Sequence, residues 1–150
     1  ANSVSQLARL KEIALEKGVE IVEQGVQTAA DIPQAAASLA SKVDCINNFT
    51  DNNVVENLSV LLHATDEAGI PVFGSEIEQV KLGCLASASI EYVTVGKSAG
   101  KAAAEIIGGK SASDIPVAVI TDPTNYYNSE ALARFGLSTP QNITAVDVCK

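Results

Sequence analysis

Methionine and tryptophan are absent from this 150-residue chain, histidine occurs once, and the aromatics are three tyrosines and three phenylalanines. Each scarcity closes off some chemistry. With His63 alone, in "LSVLLHAT", a metal cluster or a Ser-His-Asp triad would hang on one side chain, and a helix-surface histidine is the simpler reading. Without tryptophan, and with few loop aromatics, there is little to stack on a flavin ring. Ten Lys and Arg stand against eighteen Asp and Glu, a net charge of −8, which argues against a nucleic-acid surface, since that would need a basic face. No apolar run approaches the ~18–20 residues of a membrane helix. Cys45, Cys84 and Cys149 are too few and too far apart for a disulfide framework or a zinc pattern. Cys45 and Cys84, in apolar runs, read as buried thiols, and Cys149 as exposed. No segment reads as a signal peptide and no methionine opens the chain, so a processed or cut piece of something longer is expected.

What is present is an apolar fraction of 47%, enough for one core, arranged in alternating helical and extended segments. Residues 3–17 carry Val4, Leu7, Ala8, Leu10 and Ala14 at helical spacing, with Ser3 as a candidate N-cap and Gly18 as the stop. "VEIVEQGV" (19–26) alternates and predicts a strand; 29–42 predicts a helix; "VDCINNF" (43–49) a strand. "NVVENLSVLLHATDEAG" is amphipathic through Val54, Leu58, Leu61, Leu62 and Thr65. "IPVFGS" (70–75) and "CLASASI" (84–90) predict short buried strands around a helix near Ile77–Leu82. Residues 93–108 predict a helix closed by Gly108-Gly109, "IPVAVI" (115–120) a last strand, and "NSEALARFG" a short helix. Joints of two to six residues make this an α/β chain: one open, mostly parallel sheet with helices on both faces, without a second domain or repeat. A helix opens the chain where a central strand is usual.

The tripeptide Gly96-Lys97-Ser98 invites comparison with a phosphate-binding loop, but Glu91 occupies the place of the loop's first glycine, where a carboxylate repels phosphate. Gly96 and Gly100 read instead as sites of close helix packing. "DPTNYYNS" (122–129) lacks the glycine and terminal glutamate of a calcium loop and reads as a turn into an extended segment. The sequons at Asn48, Asn57 and Asn142 are at chance level in a chain this rich in Asn and Ser. No cofactor is called for. The site signal is positional: in open parallel sheets ligands bind beyond the carboxyl ends of the strands. Thr50, Asp51 and Asn52, then Ser75 and Glu76, then Ser89 follow successive strands and form a candidate rim. Asp51 and Glu76 suit a ligand ammonium, and the hydroxyls and amide suit a polar ligand. Each position also suits a helix cap, Asp51 or Asn52 for one helix and Ser75 for the next.

"ANSVSQLARLKEIALEKGVEIVE", "KVDCINNFTDNNVVENL", "AGIPVFGSEIEQVKLGCLASASIEYVTVGKSAGKAAAEIIGGKSASDIPV" and "NSEALARFGLSTP" together resemble the substrate-binding proteins of ABC transporters. The resemblance is to the subgroup whose better-known members bind aromatic amino acids, and it runs in order from residue 1 to about residue 140. It implies one lobe of a type I periplasmic-binding-protein fold: the second lobe, with 1–120 as core and 121–150 as the tail that crosses back. It implies no enzyme, but a half-clamp for a small polar ligand, an amino acid by analogy, that hands its ligand to a membrane permease outside the bacterial cytoplasm. Carried over by position, the family's cleft residues fall at Thr50, Asp51, Asn52, Ser75, Glu76 and near Ser89. The resemblance implies that the first lobe and the strand before "ANSVSQ" are missing, which would leave 19–24 and 43–48 unpaired on one side. Another polypeptide, a homodimer partner or rearranged strands would fill that gap. Departures fall at Asn47-Asn48, Phe49, Ser89 and the final "ITAVDVCK". A regulatory ligand sensor of the same fold and a small flavodoxin-like carrier are the alternatives.

Overall fold

The computed structural model describes residues 2–150. The first helix, α1, spans Asn2–Lys17 and ends where Gly18 takes φ +68°, a left-handed conformation that only glycine adopts without cost. The Val19 N–H then donates to the Ala14 carbonyl at 2.9 Å, satisfying one of the helix's last acceptors. Ser3 lies inside the first turn, not at the cap. Of the expected apolar face, Ala14 is buried, Leu7 and Leu10 are half-buried, and Val4 is exposed.

Residues 19–26 form no strand, contrary to their alternation. Extended backbone becomes a strand only when a neighbour takes its hydrogen bonds, and the described residues offer this segment none. Val19 and Val22 are exposed as a result, and Val26 packs on the core. Helix α2, Ile32–Ala40, follows a 3-10 turn at Ala29–Asp31. The turn is pinned by Asp31, whose carboxylate accepts from the backbone N–H groups of Thr28 and Gln27 and from the Thr28 hydroxyl; these bonds, the Thr28 backbone bond foremost, hold its pKa below the usual value.

Strand β1 (Ile46–Asn47) pairs in parallel with β2 (Val72–Phe73), Ile46 opposite Val72. Between them lie α3 (Asn52–Glu56) and α4 (Leu58–Glu67). The expected amphipathic helix therefore breaks at Asn57, but its apolar stripe holds: Leu58, Leu61, Leu62 and Thr65 are buried. Helices α2 and α4 pack on one face of the sheet, where Ile32, Ala36, Leu58, Leu61, Ile46 and Val72 belong to one core cluster. Cys84 is part of this cluster, as expected of a buried thiol, whereas Cys45 is exposed, because it precedes the short strand and does not join it.

Helix α5 (Ile77–Lys81) leads to β3 (Ala86–Ser89), which pairs antiparallel with β4 (Thr124–Tyr127); β4 pairs in parallel with β5 (Val146–Asp147). Two backbone bonds, Leu85 N–H to Val72 at 2.7 Å and Gly74 N–H to Ala86 at 3.0 Å, tie the two ladders into the spatial order β1-β2-β3-β4-β5. The chain is thus α/β with a mostly parallel sheet. Side chains alternate across a strand, so Asn47 faces away from the Ile46 core and towards α1.

Helix α6 (Tyr92–Ile107) and α7 (Ser129–Arg134) form as predicted. Yet α6 buries none of its residues, and nothing lies within 4 Å of where a Cβ at Gly96 or Gly100 would stand, so these glycines make no close packing among the described residues. "IPVAVI" is not a strand either: Val117 is 90% and Val119 77% exposed, again for want of a neighbour.

Candidate functional site

The ends of β1 and β2 meet. The Thr50 and Ser75 hydroxyls are 2.8 Å apart and share a hydrogen bond. Beneath them sits Gln79 of α5, fully buried. Its Oε1 accepts from the Ser75 N–H at 3.0 Å and from Asn48 Nδ2 at 3.3 Å, and its Nε2 donates to Ser75 Oγ at 3.2 Å. A buried amide survives only when both its ends are satisfied, and here the strand termini supply the partners. Gly74 makes this approach possible. A Cβ there would stand 2.9 Å from Gln79 Oε1 and 3.0 Å from Gln79 Cβ.

The two acidic rim residues act as caps. Asp51 Oδ1 accepts from the Asn53 N–H at 3.0 Å at the head of α3, with Asn52 the exposed first residue of that helix. Glu76 caps α5 in place of Ser75: Oε2 accepts from Glu78 N–H at 2.9 Å and Oε1 from Gln79 N–H at 2.8 Å. A carboxylate reaches two amides where a serine reaches one, and Ser75 is already taken by Thr50 and Gln79. Burial of Cys84, and after it the negative charge of the buried Glu76, pushes that thiol up to about 12.

Beside this junction lies an open groove of about 550 Å³. One wall is α1, through Ser5, Gln6, Arg9, Leu10 and Ile13. The other is the sheet, through Asn47, Phe49, Gly74, Ser75 and Ala88. Arg9 is the one charged residue among these, and its guanidinium donates to Glu12 at 2.8 Å on the exposed side of α1. Ser89 stands apart. Ala88 faces the groove, so Ser89 points to the other face of β3, where it is buried and its hydroxyl meets no partner, as is also true of Ser87.

Thr50 and Ser75 are thus joined directly, and Ser75 lines the groove. Asp51 and Asn52 follow Thr50 at the head of α3, Glu76 has both oxygens engaged, and Ser89 lies on the opposite face of its strand. Sequence reasoning missed Gln79, Asn48 and the α1 wall. Gln79 carried a signal, a polar residue between Ile77 and Val80 with no charge partner; Gln6 and Leu10, one turn apart, share the helix face with Ile13. His63 is on the surface of α4, 3.6 Å from Glu67, and no group of three metal-ligating side chains occurs among the described residues. Gly96-Lys97-Ser98 lies within α6, where no phosphate loop can form.

The chain matches the family model of ABC transporter substrate binding proteins over residues 1–148. It is 34% identical over 131 residues to a tyrosine-binding protein of Clostridioides difficile, covering 87% of this chain and 38% of that one. Among solved structures it is similar to a ligand-free, open substrate-binding protein with adhesive properties from Clostridium difficile, at TM-score 0.78 and 34% identity over 99% of this chain and 50% of that one. The same fold occurs in a conserved domain protein of Vibrio cholerae, at TM-score 0.84 and 29% identity over 93% and 47% of the two chains. It recurs in a Streptococcus pneumonia domain in complex with L-Trp, at TM-score 0.85 and 24% identity over 93% and 48%. The chain spans about half the length of these solved relatives and less of the tyrosine-binding protein. Proteins of this kind bind substrates and are not enzymes.

Proposed function

Because the chain belongs to the ABC transporter substrate-binding protein family, we propose that it is one lobe of a two-lobed clamp that holds an amino-acid-like solute. The clamp delivers that solute to the membrane permease of an importer, outside the bacterial cytoplasm. The observation that carries this reading is the Thr50–Ser75 contact, which closes two strand ends beside an open groove. Strand ends are where open α/β sheets take their ligands. The likeness to a tyrosine-binding protein favours an aromatic amino acid.

In this reading residues 1–120 are the core of the lobe and 121–150 the segment that crosses back. The hydroxyls of Thr50 and Ser75 and the amide of Asn52 orient the ligand, and Asp51, with Oδ2 outside the cap, receives its ammonium. Glu76 holds Ser75 in place through the head of α5, and Ser89 supports the rim from behind. The half-length match and the one-sided pairing of β1 support a second lobe, or a second copy of the chain, as the opposite jaw.

Titration calorimetry of the chain with L-tyrosine and the other amino acids tests the reading. Binding in the millimolar range is expected, since a lone lobe supplies only part of the contacts. Thr50→Ala with Ser75→Ala should remove it. Absence of heat from every amino acid, or heat unchanged in that double variant, rejects this site; unchanged heat in Asp51→Ala takes Asp51 out of it.

A further inference from the structure

We propose that Arg9 is the anion-recognising and specificity-determining residue of the groove, so that the ligand is selected by its carboxylate more than by its ammonium. This rests on the reading above. Among the described residues Arg9 is the one charged residue lining the groove, whereas both oxygens of Glu76 and one of Asp51 are turned to the N–H groups of their own helices. Arg9, ion-paired with Glu12 on the exposed side of α1, is thus the cation that the α1 wall brings to the groove.

The present partner of Arg9 does not compete strongly. Glu12 is 66% exposed and Arg9 72%, and exposed ion pairs contribute about 0–1 kcal/mol. A ligand carboxylate offers the planar guanidinium a two-pronged hydrogen bond. Geometry gives the rest of the ligand a place. Leu10 and Ile13 flank Arg9 on α1, Phe49 and Ala88 face them from the sheet, and Gly74 adds no side chain to the floor. In this proposal the apolar part of the ligand lies against these residues and its carboxylate meets Arg9.

The test compares three probes by amide NMR titration of the chain: L-tyrosine, tyramine, which lacks the carboxylate, and 3-(4-hydroxyphenyl)propionate, which lacks the ammonium. Tyrosine and the propionate should shift the amides of Phe49, Ser75 and α1, and tyramine should bind about tenfold more weakly, the least that losing a charge-assisted bond costs. Arg9→Gln should erase the difference between tyrosine and tyramine, Arg9→Lys should restore part of it, and Glu12→Gln should tighten tyrosine by freeing the guanidinium. Equal binding of tyrosine and tyramine, or no change in Arg9→Gln while tyrosine still binds, overturns the role of Arg9 and leaves the groove reading intact. No shift from any probe overturns both.

Discussion

Replacing Gln79 by Leu would test the junction on which the site is built. The two side chains have similar volume, so the change isolates polar accounting from packing. It removes the bonds at 3.0, 3.3 and 3.2 Å to Ser75 N–H, Asn48 Nδ2 and Ser75 Oγ. Ser75 Oγ keeps Thr50. The Ser75 N–H and the Asn48 amide, 6% exposed, are left without a partner. Each buried orphan costs about 1–3 kcal/mol, so the loss should come to about 2–5 kcal/mol, with the part-buried Ser75 amide at the low end. With a urea slope of about 2 kcal/mol/M, the unfolding midpoint should fall by about 1–2.5 M. Lys81→Ala, on the exposed side of the same helix, should move it by less than about 0.3 M. Adding Asn48→Leu to Gln79→Leu removes one orphan together with its former partner, so the pair should cost less than the sum of the singles. A Gln79→Leu midpoint within about 0.2 M of wild type would refute the claim that this amide holds the two strand ends together.

Other expectations follow from single contacts. Gly74→Ala drives a methyl to within 3.0 Å of Gln79 and should destabilise by about 1–3 kcal/mol in the same urea assay. Leu58→Ala, at 1% exposure in the α2–α4 core, should cost about 2–5 kcal/mol, while Val60→Ala, two residues on and exposed, should stay within about 0.5 kcal/mol. Thiol titration of the native chain should register the exposed Cys45 and Cys149, and Cys84 only after unfolding. Burial and then Glu76 raise the Cys84 pKa from 9.0 to about 12, so its thiolate is disfavoured in the fold. The stability tied to that thiol is complete below pH 9 and is lost as pH rises from 9 towards 12. Cys84→Ala should flatten that part of the wild-type stability curve, measured by urea unfolding across the alkaline range.

The helices were legible because their signals are local. Gly18, Gly108-Gly109, the Asp51 cap and the Leu58–Leu61–Leu62–Thr65 stripe depend on neighbours one turn away, and the structure places them accordingly. The same holds for the fold class, which follows from alternation, and for the encounter of Thr50 with Ser75, which follows from two adjacent strands ending side by side. Strands are different. The alternation in 19–26 and the apolar run 115–120 each state a readiness to pair, but a ladder needs a second strand at hydrogen-bond distance, and no local pattern can report whether one is there. The cap of α5 was misassigned for a related reason: choosing Glu76 over Ser75 required knowing that Thr50 and Gln79 already claim the serine. By itself, the sequence determined which segments coil, where they stop, and that polar residues gather at strand ends. Tertiary structure alone decided that Gln79 is buried beneath them, that α1 walls a groove with Arg9, and that Ser89 faces away, because each of these depends on which distant segment occupies the facing space.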